Sequence, residues 1–229
     1  MDRQDTMYTR TEMMLGKDAV LSLKSTHVAV FGVGGVGGFV TEALARAGVG
    51  KLTLIDSDRV AVSNINRQII ALHSTVGQYK TEAMKERIRD INPECEVTCI
   101  NEFYSEENPI SLEGFDYVAD CIDSVKSKLH LITEAKRLDK SVISSMGAGN
   151  KLDPTRFTVA DISKTHTDPL AKVMRTELRR RGINHLKVVF SDEPPINPGG
   201  ERTPGSISFV PSVVGLIIAG EIIKDTIKK

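Results

Sequence analysis

Three glycines and a carboxylate that follows them form the clearest chemical pattern in this chain of 229 residues. Gly32, Gly34 and Gly37 have the spacing Gly-x-Gly-x-x-Gly and come directly after the apolar run 28–31. Such glycines permit a tight turn and a close approach of the main chain to phosphate oxygens, at the start of a helix whose amides face an anion. Asp56 follows a second apolar run, 52–55, where a carboxylate can accept both hydroxyls of a ribose. The pattern predicts a site for an adenosine nucleotide.

The residues behind this pattern help to decide between two kinds of enzyme. An NAD-dependent dehydrogenase has the same glycines and the same acidic residue, but it needs few basic side chains to bind the pyrophosphate bridge of its cofactor. Here five polar residues lie within 25 positions of the second run: Asp58, Asn64, Asn66, Arg67 and Lys80. Two cations beside one ligand indicate a triphosphate whose charge is held while a bond to phosphorus breaks. Taken alone, Arg67 and Lys80 also fit solvated charges on a loop and a helix.

Six short segments, in this order, resemble the ThiF/MoeB adenylating family, the bacterial relatives of ubiquitin-activating enzymes. They are 32–37, 56–58, 63–68, 76–80, 92–93 and 120–124. The resemblance implies that Asp56 holds the ribose of ATP, that Asn64, Arg67 and Lys80 hold its phosphates, and that Asp123 positions Mg²⁺. The residues expected to bind the nucleotide are Gly32, Gly34, Gly35, Gly37, Asp56, Asp58, Asn64, Asn66, Arg67, Lys80, Asp123 and Ser124. Asp123 also fits a carboxylate near the N-cap of a helix that begins near Ser124.

The same resemblance implies a homodimer with shared active sites. The family uses an arginine near its amino terminus that reaches into the nucleotide site of the other subunit, and Arg10 lies at the matching place in the segment 8–10. Arg10 is therefore expected to act in trans, as a catalytic residue beside Arg67, Lys80 and Asp123. Taken alone, Arg10 is more typical of a solvated arginine near the amino terminus.

The cysteines limit the reaction that can follow adenylation. Cys95, Cys99 and Cys121 have no Cys-x-x-Cys spacing, so one chain cannot build a tetrathiolate site, and we expect no zinc. Family members that activate ubiquitin-like sulfur carriers commonly have two such pairs, or a reactive cysteine after the core of the sheet. No cysteine follows residue 124 in this chain. We interpret the three as small core residues and do not expect a cysteine to capture the activated carboxylate.

A second set of segments is similar to one branch of the family, the tRNA threonylcarbamoyladenosine dehydratases. These segments are 152–155, 159–165, 168–172 and 189–191, and the region 182–211 is shorter than in longer members. The resemblance implies that ATP activates the threonyl carboxylate of the modified adenosine next to the anticodon, after which the neighbouring carbamoyl group closes a ring and expels AMP. Adenylation of the C-terminal glycine of a sulfur-carrier protein is the main alternative. A nucleotide-binding regulator or a dehydrogenase is a third interpretation.

A tRNA partner requires a basic surface. The candidates are Lys164, Lys172, Arg175 and Arg179, of which the last three would share one helix face that can follow phosphates. Pairing of this face with Glu177 and Asp168 would instead make it an ordinary solvated surface. Because the chain has 30 basic and 30 acidic residues, it has no overall field for nucleic acid, and the patch would have to be local. The resemblance also allows sulfur-transfer proteins as partners.

Alternating strands and helices must position these residues. Strands are predicted at 27–31, 51–55, 96–100, 117–121, 141–145, 156–160 and 186–190, and helices at 11–23, 38–47, 78–90, 124–137, 168–181 and 211–227. This alternation predicts an α/β fold, a Rossmann-like, doubly wound and mostly parallel sheet with helices on both faces. Ligands bind beyond the carboxyl ends of such strands, where we expect Gly34, Asp56 and Asp123.

The whole chain, 1–229, is expected to form one ATP-binding adenylating domain. Within it we predict an N-terminal helical arm over 1–25, a flexible loop over 191–206, which has four prolines and three glycines, and a C-terminal helix over 211–227. The apolar segment 210–223 has fourteen residues, which favours a buried or dimer helix over a membrane span. With no apolar run of eighteen residues and no signal-like amino terminus, we expect a cytoplasmic enzyme.

Overall fold

The computed structural model of the protein describes residues 5–196, 199–200 and 203–228, in which strands and helices alternate along the chain. The strands are β1 (His27–Phe31), β2 (Lys51–Ile55), β3 (Glu96–Ile100), β4 (Tyr117–Asp120), β5 (Ser141–Ser145), β6 (Phe157–Asp161) and β7 (Lys187–Ser191). The helices are α1 (Thr9–Leu15), α2 (Lys17–Ser25), α3 (Gly37–Ala47), α4 (Lys80–Ile91), α5 (Val125–Arg137), α6 (Pro169–Arg180) and α7 (Phe209–Ile227). Each strand lies within one residue of its predicted bounds.

These strands form a single sheet in the order β3-β2-β1-β4-β5-β7-β6. All neighbouring pairs run parallel except β6 and β7, which are antiparallel at one edge of the sheet. The strand order reverses between β1 and β4, and such a switch point leaves a crevice beyond the carboxyl ends of the two strands. The predicted α/β class, with a mostly parallel and doubly wound sheet, is confirmed.

Helices cover both faces of the sheet, as the side chains of β1 demonstrate. Val28 and Val30 are buried in one cluster with side chains of α3, α4 and α7, whereas Ala29 and Phe31 are buried in a second cluster with α5 and α6. A parallel strand in the middle of such a sheet has no solvent-facing side, so its sequence is apolar at every position rather than alternating. The apolar runs behind the strand predictions have this origin.

The last helix, α7, packs against α3, which begins at the third glycine of the pattern. The two approach closely at Gly215, where an added Cβ would lie 2.4 Å from the carbonyl oxygen of Val36 and 2.8 Å from Cβ of Phe39. Towards its other end, Asp225 accepts hydrogen bonds from Lys187 Nζ at 2.7 Å and from the Tyr117 hydroxyl at 2.8 Å. No helix within the described ranges has both the length and the apolar composition needed to cross a membrane.

One helix prediction is wrong. The expected helix over 11–23 is broken at Gly16, whose φ of +87° ends α1 and separates it from α2. Glycine adopts positive φ without the steric cost that other residues carry, so it ends a helix readily. The other helices begin and end within two residues of their predicted bounds. Residues 1–4, 197–198, 201–202 and 229, which belong to the predicted arm, loop and domain, lie outside the described part of the chain.

Candidate active site

A cleft of about 840 Å³ opens at the carboxyl ends of β2, β1, β4 and β5. Residues from different loops meet there, and the following predicted residues line it: Gly32, Gly34, Gly35, Asp56, Asp58, Asn64, Arg67, Lys80 and Asp123. Gly37, Asn66, Ser124 and Arg10 are not among its lining residues. A volume of this size suits a nucleotide-sized ligand.

The glycine turn is shaped by close packing as well as by access to the cleft. Gly32 has φ of +88°, and an added Cβ would lie 2.7 Å from the carbonyl oxygen of Cys121. An added Cβ at Gly37 would lie 1.7 Å from the carbonyl oxygen of Gly32, so this glycine joins the turn to α3 and does not face a ligand. Gly34 differs, since the nearest atom to a Cβ there would be Gln68 Nε2, 3.7 Å away. Main-chain groups near Gly34 are therefore open to the cleft.

Asp56 is held in place by the main chain. Its Oδ2 accepts a hydrogen bond from the Val33 N–H at 2.7 Å, and its Oδ1 accepts one from the Asp58 N–H at 2.8 Å. Burial raises the pKa of Asp56, while Lys80 and the two main-chain donors oppose that rise. The carboxylate thus links the glycine turn to the end of β2, and each oxygen has a further lone pair for a hydroxyl donor.

The two predicted phosphate-binding cations have different surroundings. Lys80 is 6% exposed, and its Nζ lies 2.6 Å from Asp58 Oδ2 and 3.9 Å from Asp56 Oδ1. A buried lysine beside two carboxylates is not a solvated helix charge. Arg67 is half-buried and donates to the carbonyl oxygen of Ser63 at 3.0 Å and to Asn66 Oδ1 at 2.8 Å. Both cations line the cleft on the side of β2.

The two asparagines act mainly on the protein itself. Asn64 Oδ1 accepts from the Ala61 N–H at 3.0 Å and closes the short 3-10 turn Val62–Asn64. Asn66 orients Arg67 through Oδ1, and its Nδ2 donates to the carbonyl oxygen of Ser206 at 3.0 Å. Asn66 therefore anchors the neighbouring loop. The expectation that Asn66 faces the nucleotide is not met, because it does not line the cleft.

Asp123 is exposed and lines the cleft after β4. The N-cap of α5 is Ser124, whose Oγ accepts from the Ser127 N–H at 3.4 Å. Since Ser124 takes the capping role, Asp123 is left available to a ligand. The expected contact of Ser124 with a nucleotide has no support, because its side chain caps α5 and does not line the cleft.

A buried ion pair that sequence reasoning missed lies beneath the loop that carries Asp123. Lys128 Nζ donates to Asp120 Oδ2 at 2.8 Å, and both side chains are 0% exposed. Ser144 Oγ donates to the same oxygen at 2.6 Å, and the Ile122 N–H donates to Asp120 Oδ1 at 3.2 Å. The pair therefore fixes the start of this loop. A signal was present, because Lys128 falls on the buried face of α5 with Leu131 and Ile132.

The far wall of the cleft contains a second group that was not predicted as a site. Lys151 and Asp168 line this wall, beyond the end of β5, and both are buried. The alternative in which Asp168 pairs with basic residues of its helix is not what the structure has, because Asp168 caps α6 by accepting from the Ala171 N–H at 3.0 Å. It also accepts from the Gly147 N–H at 3.0 Å. The glycines at 147 and 149, directly after a predicted strand, were the available signal for a ligand-facing loop.

The predicted tRNA surface is partly engaged in internal contacts. Lys164, Lys172 and Arg179 are exposed, but Arg175 is half-buried and donates to the carbonyl oxygen of Thr165 at 2.7 Å and to its hydroxyl at 2.6 Å. Arg175 is therefore a structural contact between α6 and the segment before it. Glu177 pairs with Arg180 and Arg181, which leaves the three exposed cations unneutralised by that carboxylate.

The cysteine thiols are poorly suited to nucleophilic attack. Burial raises the pKa of Cys121 to about 12, and it raises those of Cys95 and Cys99 to about 11. The thiolate is the reactive form, and it is scarce at neutral pH for groups with such values. We interpreted Cys121 as a core residue, but it follows β4 and lines the cleft. Among the described residues, no group of three or more His, Cys, Asp or Glu side chains could hold a metal ion.

Known proteins are similar to this chain over almost all of its length. The model of the ThiF family matches residues 8–229. The tRNA threonylcarbamoyladenosine dehydratase of Bacillus subtilis is 50% identical over 240 aligned positions, which cover 96% of this chain and 94% of the relative. The tRNA threonylcarbamoyladenosine dehydratase of Haemophilus influenzae is 46% identical, and the alignment covers 79% of this chain and 73% of the relative. A crystal structure of E. coli tRNA N6-threonylcarbamoyladenosine dehydratase in complex with ATP superposes with a TM-score of 0.90 at 38% identity, covering 97% of this chain and 94% of that one.

Proposed function

This chain belongs to the ThiF family, and we propose that it is an ATP-dependent dehydratase acting on threonylcarbamoyladenosine next to the anticodon of tRNA. The observation that carries the proposal is the extent of similarity to the Bacillus subtilis dehydratase, 96% of this chain and 94% of the relative. That extent includes Lys151 and Asp168, which form the wall opposite the nucleotide pattern. Nucleotide binding alone would require similarity only around β1 and β2.

The residues that line the cleft support ATP binding independently of the similarity to known proteins. Gly34 leaves its main chain open, and Arg67 and Lys80 supply positive charge on the side of β2. Gln68 Oε1 is buried beside the turn with no hydrogen-bond partner among the described residues. A buried acceptor without a donor is costly, so a donor group on a bound nucleotide would satisfy it. Asp56 would accept the ribose hydroxyls.

For Mg²⁺ the cleft offers one exposed carboxylate after β4, that of Asp123. Asp123 would hold the ion together with phosphate oxygens, since protein-bound Mg²⁺ commonly uses one or two carboxylates plus substrate phosphates. When bound, the ion neutralises charge that develops on the phosphates. The buried Asp120–Lys128 pair keeps the Asp123 loop in position for this contact.

The chain's residues then promote two steps. In the first, an oxygen of the threonyl carboxylate attacks the α-phosphorus of ATP, pyrophosphate leaves, and Arg67 and Lys80 stabilise the charge on the phosphates. In the second, the carbamoyl group of the same nucleoside attacks the activated carbonyl, loses one proton and expels AMP. The net change in the nucleoside is the loss of one water. Because both reacting groups are on one nucleoside, their effective molarity is high, and no protein nucleophile is needed.

The proposal includes two partners. Lys164, Lys172 and Arg179 are exposed on and before α6, whose first residues line the cleft, so tRNA phosphates bound there would bring the anticodon to its mouth. Arg10 is exposed on α1 and lies outside the cleft of its own chain. This position is what a homodimer with Arg10 supplied in trans requires.

One experiment tests the function directly. The protein is incubated with Mg-ATP and tRNA that bears threonylcarbamoyladenosine, and the nucleosides are analysed by mass spectrometry. We expect an ATP-dependent loss of one water from the modified nucleoside, and no change in tRNA without the modification. Fully modified tRNA that keeps its mass, in the presence of protein that binds ATP, would overturn the proposal. A parallel incubation replaces the tRNA by a sulfur-carrier protein, and adenylation of its C-terminal glycine would favour sulfur-carrier activation instead.

A further inference from the structure

Three cations line the cleft among the described residues, and one of them stands apart. Arg67 and Lys80 lie on the side of β2, whereas Lys151 lies beyond the end of β5. The strand order places β1 and β4 between β2 and β5. Neighbouring strands are about 4.8 Å apart, so the two sides are separated by roughly 14 Å. A nucleotide with its ribose at Asp56 and its phosphates over the glycine turn leaves Lys151 beyond it, on the side of β5.

Lys151 is buried, yet among the described residues no carboxylate forms an ion pair with its ammonium group. It is 5% exposed, and its Nζ donates to the main-chain carbonyl oxygen of Glu193 at 2.6 Å. The carboxylate of Glu193 instead accepts main-chain N–H groups of Leu152 and Asp153, at 3.0 Å each. An ammonium group has three donors, so two remain after the bond to Glu193.

The other charges of this wall leave Lys151 as the cation that faces the cleft. The carboxylate of Asp168 is held by the N–H groups of Gly147 and Ala171. Arg156 pairs with Asp192 at 2.7 Å and does not line the cleft. Burial lowers the pKa of Lys151, and the nearby charges of Asp168 and Glu193 oppose this. The arrangement keeps a charged group inside the wall, and its donors form no hydrogen bond with a carboxylate in the part of the chain that the structure describes.

We propose that Lys151 binds the carboxylate of the acceptor and holds it beside the α-phosphate of ATP. This inference rests on the proposed function, in which that carboxylate belongs to the threonyl group of the modified adenosine. A carboxylate that approaches a polyphosphate is repelled by it, and a cation on the acceptor side removes this repulsion. Lys151 thereby selects an anionic acceptor, while Arg67 and Lys80 bind the phosphates of the nucleotide.

The test measures selectivity for the carboxylate without turnover. Wild-type protein and Lys151→Gln are saturated with an ATP analogue that has a methylene group between the α- and β-phosphorus atoms, and their affinities are compared for tRNA with and without threonylcarbamoyladenosine. Glutamine can still donate to the Glu193 carbonyl oxygen but has no charge. We expect at least about a tenfold loss of preference for the modified tRNA, as for a hydrogen bond to a charged group, and unchanged affinity for the analogue. Lys151→Arg should recover part of the preference.

A matched control uses Lys140, which donates to the main-chain carbonyl oxygen of Phe115 at 3.0 Å and does not line the cleft. Lys140→Gln should keep the full preference. Undiminished preference in Lys151→Gln would overturn the proposal. If that variant does not fold, wild-type protein and tRNA with an esterified threonyl carboxylate decide the matter, because equal affinity for ester and acid would exclude a carboxylate-binding cation. If wild-type protein fails to dehydrate modified tRNA, the proposed function itself falls, which is a different result from loss of selectivity in the variant alone.

Discussion

At the scale of single residues, main-chain donors hold two carboxylates that line the cleft, Asp56 and Asp168, and the carboxylate of Glu193, whose carbonyl oxygen accepts from Lys151. Asp56, Asp168 and Glu193 each accept two main-chain N–H groups. Their positions are therefore fixed before any ligand arrives, and Arg67 and Lys151 are not neutralised by them. A site preorganised in this way does not need to reorient its dipoles during the reaction.

The first prediction concerns two groups that are proposed to act on ATP. Arg67→Ala and Asp123→Asn should each lower ATP–pyrophosphate exchange in the presence of modified tRNA by roughly 100- to 1,000-fold, as for other charge-stabilising groups. Neither side chain belongs to the buried core, so the far-UV circular dichroism should match that of the wild type. Arg137→Ala is the control, since this arginine is exposed and pairs with Glu134 away from the cleft. Wild-type exchange in either cleft variant would contradict the role given to that residue.

The second prediction concerns the buried ion pair beneath the Asp123 loop. Lys128→Met leaves the Asp120 carboxylate buried without its cation, and such a change should lower the free energy of unfolding by about 3–5 kcal/mol. Urea denaturation measures this, and adding Asp120→Leu should recover part of the loss. Lys126, two positions away, pairs with Glu107 on the surface, so Lys126→Met should remain close to the wild type. Equal stability of the two single variants would show that the buried pair has no special weight.

At the scale of elements, α7 determines where the glycine turn and α3 can lie. Gly215 allows α7 to touch the start of α3, and Pro211 lines the cleft beside Gly35, whose added Cβ would lie 3.2 Å from Pro211 Cβ. The nucleotide turn is thus packed from behind by a helix far away in sequence. Changes in α7 should consequently reach the cleft.

The third prediction compares two glycines of this helix. Gly215→Ala places a methyl group 2.4 Å from the Val36 carbonyl oxygen, so it should cost about 1–3 kcal/mol of stability and weaken ATP binding. Gly220 has no atom within 4 Å of an added Cβ, and Gly220→Ala should stabilise the protein by about 0.5–1 kcal/mol. Thermal unfolding and ATP titration separate the two. A Gly215→Ala variant as stable as Gly220→Ala would refute the close packing of α7 on α3.

The strands were predictable from sequence because both faces of the parallel sheet are buried, which leaves continuous apolar runs such as 28–31. Asp56 and Asp123 were predictable because they follow such runs. The pattern of α5 places Lys128 on a buried face, and the glycines at 147 and 149 signal a loop near Lys151. Their partners, Asp120 and the Glu193 carbonyl oxygen, could not be predicted because only tertiary contacts fix them. Gly16 was missed because a helix pattern continues on both sides of it, and only its positive φ reveals the break.

At the scale of the whole molecule, the helix that carries Lys172 and Arg179 begins at the cleft, while Arg10 is exposed on α1 and does not line the cleft. Pro169 and Leu170, at the start of α6, line the cleft, and Lys172 and Arg179 are exposed further along the same helix. A balanced charge of 30 basic and 30 acidic residues makes this local arrangement, and not the net charge, the basis of any attraction.

The fourth prediction tests the proposal that two subunits share each active site. Arg10→Ala and Arg67→Ala should each be inactive, and mixing the two proteins under conditions of subunit exchange should restore about a quarter of the wild-type activity. In a mixed dimer, one site combines an intact Arg67 with an intact Arg10 from the other subunit. Mixtures of each variant with itself serve as controls. Absence of any recovery, with exchange demonstrated by differently tagged subunits, would exclude action of Arg10 in trans.

The contact of α7 with α3 also bears on how the protein is made. The glycine turn and α3 leave the ribosome long before α7, yet the turn is packed against Pro211 and Gly215 of that helix. At ordinary rates of synthesis this delay amounts to roughly 10 to 30 s. During that time the apolar side of α3 lacks its cover, so the nascent chain has a window in which chaperone binding competes with misassembly. The glycine turn therefore reaches its final packing only once the latest-made helix has docked.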